Sequence, residues 1–176
     1  METMHIRKIE EIRKFKKLLE KKLNLSIDII DRNVNFEGPS LDEYEASIVF
    51  DAMNFGFSLR KALLLKGDDV TFRVIHIKEH TKRNLKEIMS RLIGTNGKTR
   101  KVMENISGCK ILIKEGNVGV LGYVEDVENL STAIIHLIRG SKQSNMYQYL
   151  ERRNREKKNY TDLGLKHSKP TFGKEN

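Results

Sequence analysis

Cysteine is nearly absent from this chain of 176 residues. Cys109 is the only one, which rules out an internal disulfide, and no Cys or His cluster accompanies it to hold zinc. A small packing residue at the start of a strand is its expected role. Long apolar runs are also missing. No stretch approaches the roughly 20 residues of a membrane span, and Met1 to Lys17 is charged throughout, unlike a signal peptide. The expected location is cytoplasmic, with no membrane partner. Nor does the chain hold the usual material of a nuclease, which needs clustered carboxylates for metal ions or a histidine pair for acid–base work. His5, His76, His80, His136 and His167 are scattered, and Asp28, Asp31, Asp42, Glu43 and Glu45 lie far from the basic segment described next. No catalytic residue, metal or other cofactor is expected.

Basic charge is abundant. The formal net charge is +9, hydrophobic residues make up 38% and charged residues 32%, a composition that suits a globular protein with an affinity for polyanions. From Thr81 to Lys101 there are seven Lys or Arg and one acid, Glu87. At the centre of that segment stands Arg91-Leu92-Ile93-Gly94-Thr95-Asn96-Gly97-Lys98-Thr99-Arg100, a glycine-bracketed turn between two amphipathic helices. Leu85, Ile88, Met89, Leu92 and Ile93 form the apolar stripe before it; Thr99, Val102, Met103 and Ile106 continue the helical spacing after it, up to Ser107-Gly108. A hairpin follows, Lys110 to Lys114 and Val118 to Leu121 about a turn at Glu115-Gly116-Asn117, then a helix with Val127, Leu130, Ile134, Leu137 and Ile138 inward and Gly140 at its end. With the apolar run Val70 to Ile77 in front, the order is strand, helix, GxxG turn, helix, strand, strand, helix.

That order resembles the KH domain, whose GxxG loop clamps the backbone of about four nucleotides. Glycine at the ends of the turn lets two helices meet a phosphodiester backbone without bulky side chains between them. The following helix aims its amide groups and positive dipole end at phosphate oxygens, and Lys98, Arg100, Lys101 and Arg91 add charge-assisted contacts. The expected RNA-binding set is Arg91, Ile93, Gly94, Thr95, Asn96, Gly97, Lys98, Thr99, Arg100 and Lys101, with Ile111 and Ile113 from the hairpin. The groove beside the turn is expected to have an apolar floor drawn from Ile93, Val102, Ile106, Ile111 and Ile113, mostly core residues, and a strand edge at Lys110 to Lys114 that reads bases. Replacing Gly94 and Gly97 together by Asp is expected to abolish RNA binding and spare the fold.

The chain also repeats itself at an offset of 84 positions: Ile27, Ile29, Asp31, Asn33, Val34, Phe36 and Gly38 fall on Ile111, Ile113, Glu115, Asn117, Val118, Val120 and Gly122 without a gap. Phe50, Met53 and Gly56 fall on Ile134, Leu137 and Gly140, and Leu18 and Leu19 on Val102 and Met103. The positions matching Gly94 and Gly97 are Glu10 and Arg13, so the first copy reads as a degenerate KH unit without the phosphate loop. Few residues precede Ile6, and this copy is expected to lack its opening strand and first helix. The fold class is therefore α+β, two KH-like units, the second of type I (βααββα). The expected divisions are 1–67 for the degenerate unit, with a short helix at Ser58 to Leu65, 68–140 for the KH domain, 141–158 for a C-terminal helix and 159–176 for a disordered tail. On the C-terminal helix Met146, Tyr149, Leu150 and Arg153 share a face, and Arg152 and Arg153, followed by Arg155, Lys157 and Lys158, are expected to track RNA backbone.

Asn54-Phe55-Gly56-Phe57-Ser58, Ala62-Leu63, Arg91-Leu92-Ile93-Gly94, Gly97-Lys98-Thr99-Arg100, Gly140 and Tyr147-x-x-Leu150-Glu151-Arg152 occur in an order that resembles the archaeal form of the tandem-KH ribosome-assembly family called partner of Nob. The chain departs from it at Thr95-Asn96, where the family usually has Lys-Gly. The resemblance implies binding to precursor small-subunit (16S) ribosomal RNA near its 3′ end, in support of cleavage by the Nob-type endonuclease, and association with the alpha subunit of initiation factor 2. The alternative is a KH adaptor that docks the nuclease or the initiation factor, with RNA binding secondary.

Overall fold

The computed structural model describes residues 2–162. It divides into two compact units, Met1–Val70 and Thr71–Asn176. The first runs β1 (Glu2–His5), α1 (Ile9–Leu23), β2 (Ser26–Ile30), β3 (Asn33–Glu37), α2 (Ser40–Phe55) and α3 (Leu59–Ala62), which passes into a 3₁₀ turn at Leu63–Lys66. The second contains β4 (Val70–His76), α4 (Ile77–His80), α5 (Leu85–Ile93), α6 (Lys98–Ser107), β5 (Lys110–Lys114), β6 (Asn117–Tyr123), α7 (Val124–Arg139) and α8 (Gln143–Asp162). Among the described residues each unit has one three-stranded sheet, ordered β1-β3-β2 and β4-β6-β5.

The 84-residue offset governs the backbone. Ile27 pairs with Phe36 and Ile29 with Val34 in the first hairpin; Ile111 pairs with Val120 and Ile113 with Val118 in the second. Asp31 and Glu115, which open the two turns, both take positive φ (55° and 51°), as two-residue hairpins demand. Helices α2 and α7 begin 84 residues apart, end 84 residues apart, and close on Gly56 (φ 132°) and Gly140 (φ 117°). Alternation then sends one side of each hairpin into its core: Ile27, Val34 and Phe36 beneath Phe50 and Met53 in the first unit, Ile111, Val118 and Val120 beneath Ile134 and Leu137 in the second.

The opening strand of the first unit is present, contrary to expectation. Residues Glu2 to His5 pair antiparallel with β3, from Glu2 opposite Phe36 to His5 opposite Asn33. Asn54 clasps the exit from this strand, its amide donating to His5 O (2.8 Å) and its Oδ1 accepting from Arg7 N (3.0 Å). What the unit lacks is the first of the two KH helices. Three residues after β1 the chain enters α1, whose later part matches α6; its start occupies the positions where the second unit has its turn, with a kink at Phe15 (φ −111°, ψ 17°).

The helix expected over 141–158 is longer, running to Asp162, because no proline or glycine interrupts it before Gly164. Its Met146 and Leu150 are buried in the core of the second unit, and Lys157 Nζ binds both carboxylate oxygens of Asp126 (2.7 and 2.6 Å) at the start of α7. Residues 163–176 of the expected disordered tail lie outside the described residues. Among the described residues no helix is long and apolar enough to cross a membrane.

Candidate nucleic-acid interface

Helix α5 starts under an Asn84 cap, whose Oδ1 accepts from Lys86 N (2.9 Å), and buries Ile88 and Leu92. It stops at Gly94, which has φ 73° and ψ 176° and still donates to Ser90 O (2.8 Å). The next three residues make one 3₁₀ turn, with Asn96 at φ 50° and Gly97 at φ 74°, and Gly97 N–H closing onto Gly94 O (3.2 Å). Helix α6 begins at Lys98.

The two glycines are needed for different reasons. A Cβ on Gly94 would collide with the Thr99 side chain and stand 2.8 Å from its backbone nitrogen, whereas one on Gly97 meets nothing within 4 Å and is opposed by its positive φ alone. Gly94 is thus a packing requirement of the loop stem. The expectation that Asp at both positions spares the fold is corrected accordingly, since Gly94→Asp drives a side chain into Thr99.

Of the residues expected at the RNA, Thr95, Asn96, Lys98 and Lys101 are exposed, Gly97 is partly so, and Arg100 is half-buried and paired with Glu104 (3.1 Å). Other members of the set serve the scaffold with their side chains. The Arg91 guanidinium donates to Leu137 O (3.4 Å) and Ser141 O (2.8 Å), fixing the end of α7 and the approach to α8. Thr99 is buried, and its Oγ1 accepts from Gln143 Nε2 (3.2 Å), which also donates to Arg91 O (3.0 Å). On the hairpin, Ile111 belongs to the core and Ile113 packs against it, as does Ile106. Ile93 and Val102 are half-buried outside that core and are left as the floor beside the turn.

Strand β5 lies at the edge of its sheet. Its Ile111 N–H donates to Glu104 Oε1 (2.8 Å) rather than standing open to a base. An antiparallel ladder turns alternate residues outward, so the Ile113 backbone shares that open side. On α8, Arg152 and Arg153 are exposed and stand 5.8 and 5.6 Å from the Tyr149 ring centroid, with Arg153 also paired to Glu156 (3.2 Å). Lys157, expected to follow RNA, is engaged with Asp126 instead. Sequence reasoning gave no role to Gln143 or Glu104. Nothing local marks them, because their partners lie across the fold. No cluster of His, Cys, Asp or Glu suited to a metal ion occurs among the described residues.

A βααββα unit with a GxxG turn between its paired helices is a type I KH domain. Residues 71–155 match the family described as the eukaryotic type KH-domain (KH-domain type I). The chain is 28% identical over 145 residues to a KH domain-containing protein of Methanocaldococcus jannaschii, covering 78% of this chain and 64% of that protein. It is 26% identical over 134 residues to the pre-rRNA-processing protein PNO1 of Candida albicans, covering 73% of this chain and 49% of the relative. The chain thus spans about half to two-thirds of the length of these curated relatives. Among solved structures, that of the a/eIF2alpha-aDim2p-rRNA complex from Pyrococcus horikoshii contains a chain with a TM-score of 0.76 and 28% identity, covering 88% of this chain and 94% of its own. Residues 71–155 thus form a type I KH domain, and the likeness to these relatives extends over 73–78% of the chain.

Proposed function

We propose that this chain is a single-stranded RNA-binding protein of small-subunit assembly: it binds (pre-)16S ribosomal RNA near the 3′ end and assists its maturation without catalysing cleavage itself, in the cytoplasm. The observation that carries this reading is the Gly94–Gly97 turn, with Thr95 and Asn96 exposed at its tip and the exposed Lys98 and Lys101 on the helix that follows. Amide groups and dipole at that helix start favour phosphate, and the lysines add charge. The name of the PNO1 relative and the rRNA in the Pyrococcus complex support the choice of RNA.

The test is a titration of a single-stranded 3′-terminal 16S oligoribonucleotide. Thr95→Asp with Asn96→Asp places two negative charges at the exposed tip and leaves the Gly94–Thr99 packing alone; affinity falls at least tenfold while the melting temperature holds. With three phosphate contacts, log K falls with log salt at a slope of about −2. Unchanged affinity in the double variant, or a flat salt response, overturns the clamp.

A second reading, a protein adaptor, is favoured by one feature of the first unit. It has a helix where the turn would be, and Ile30, Leu41 and Tyr44 are large hydrophobics left exposed on it. The a/eIF2alpha of the Pyrococcus complex and a Nob-type endonuclease are the partners to try. Loss of partner capture on Leu41→Ser with Tyr44→Ser, with RNA affinity intact, would assign docking to this unit.

A further inference from the structure

The Tyr147-x-x-Leu150-Glu151-Arg152 element is only half explained by packing. Leu150 is core, but Tyr147 is half-buried and lines a cleft of about 630 Å³ with Gln143, Glu87, Gly94 and Lys98. That volume is in the range of small-ligand clefts, about 300–1,000 Å³. The cleft shares the GxxG turn with the expected groove and none of that groove's floor residues. Apart from Gly94 and the one aromatic residue, Tyr147, every residue that lines it carries a polar or charged group, while polar and apolar surface are nearly balanced, a mixture that suits a nucleobase, with its apolar faces and polar edge.

Three features make it a formed site. Gln143 Nε2 commits both its hydrogens, to Arg91 O and Thr99 Oγ1, so the first turn of α8 is tied to the loop stem and Oε1 is the atom the amide can offer as an acceptor. Tyr147, one helical turn on, packs against the core of the unit and keeps part of its ring at the cleft. The Glu87 carboxylate is a second acceptor, opposite in charge to Lys98 at the same cleft. The first unit closes the equivalent junction: at the positions 84 residues earlier, Glu11 Oε1 accepts from Leu59 N (2.9 Å).

We propose that this cleft is an additional nucleobase subsite, taking one nucleotide that flanks the stretch held by the Gly94–Gly97 turn. Tyr147 stacks on the base, Gln143 Oε1 and Glu87 accept from its amino group, and Lys98 meets the connecting phosphate. Two acceptors that take both hydrogens of one exocyclic amino group favour adenine, cytosine or guanine over uracil, which has no amino group and offers only its N3–H. The subsite rests on the RNA-binding reading above, and its test separates the two.

Nested truncations of the 3′-terminal 16S oligoribonucleotide define the shortest RNA whose binding the Thr95→Asp, Asn96→Asp variant destroys. Lengthening it by one nucleotide on one side strengthens binding by the wild type about tenfold, as stacking on one aromatic ring does. Tyr147→Ala erases that gain and leaves the shortest RNA bound as before; Tyr147→Phe keeps it; uracil at the added position reduces it. In the wild type, 2-aminopurine at that position is quenched, a readout that needs no variant. A gain from lengthening that Tyr147→Ala leaves intact, or 2-aminopurine unquenched at every flanking position, overturns the subsite while the clamp stands. RNA binding indifferent to the Thr95, Asn96 variant overturns the clamp, and the subsite with it.

Discussion

Glu104 ties its helix to the edge of its own sheet, its Oε1 accepting the Ile111 N–H at 2.8 Å. Eighty-four residues earlier Glu20 Oε1 accepts the Ile27 N–H at 3.1 Å, and each carboxylate pairs with a cation one turn before it, Arg100 at 3.1 Å and Lys16 at 3.8 Å. The two copies thus share a tertiary contact as well as a pattern of apolar residues. In both, the carboxylate sets where the helix ends relative to the strand that follows.

Glu104→Ala should therefore destabilise the second unit by about 1–3 kcal/mol, the range for removing a charged partner from a part-buried backbone donor. Glu104→Gln keeps an acceptor and should cost less. Urea denaturation followed on the second unit reads both; a midpoint unmoved by Glu104→Ala would show the contact to be idle.

The two loop glycines should separate in the same assay. Gly97→Ala is opposed only by its left-handed backbone and should cost about 1 kcal/mol, with the turn still able to form. Gly94→Ala adds the collision with Thr99 and should cost a further 1–3 kcal/mol or so. Pairing it with Thr99→Ser should recover little of the loss, because the hydroxyl oxygen, the Cβ and the backbone nitrogen of residue 99, the three atoms that the new Cβ would meet, all remain. Equal costs for the two glycines would contradict the packing argument.

Much of this architecture is legible in the residues because its signals are local. The hairpins announce themselves by alternation around Asp31-Arg32 and Glu115-Gly116, and α2 and α7 by apolar stripes that end on Gly56 and Gly140. The GxxG turn is legible for the same reason. Strand β1 is not: Glu2-Thr3-Met4-His5 is mostly exposed and carries no buried face, so nothing in its pattern marks a strand. It exists because β3 has a free edge and Asn54, far along the chain, holds its exit. The roles of Arg91 and Thr99 are hidden likewise. A basic residue beside a phosphate loop reads as a ligand contact until the carbonyls of Leu137 and Ser141 are found within its reach.

Arg91 accordingly gives a prediction opposite to that of the loop lysines. Arg91→Lys keeps the charge but loses the fork that spans two carbonyls. Thermal stability of the second unit should drop and α8 should lose protection in hydrogen exchange. Lys98→Ala should lower RNA affinity and the salt slope, by about 0.7 for each phosphate left without its cation, with stability kept. An Arg91→Lys variant of full stability but weakened RNA binding would return Arg91 to the phosphate.

Cys109 offers a final check on the core. It is buried at the head of β5, and burial, with Asp126 adding its negative charge, pushes the thiol up from 9.0 to about 12. The thiolate is the reactive form, so the native protein should resist iodoacetamide at pH 8 and react fully in denaturant. The sign for stability is that of a group held neutral: a thiol whose native pKa is raised contributes fully below the unfolded value near 9 and loses that contribution as pH climbs toward about 12. Alkaline destabilisation in that window should therefore be smaller in Cys109→Ala than in the parent. Fast labelling of the native protein at pH 8 would mean that the start of β5 opens readily, and with it the edge strand that Glu104 holds.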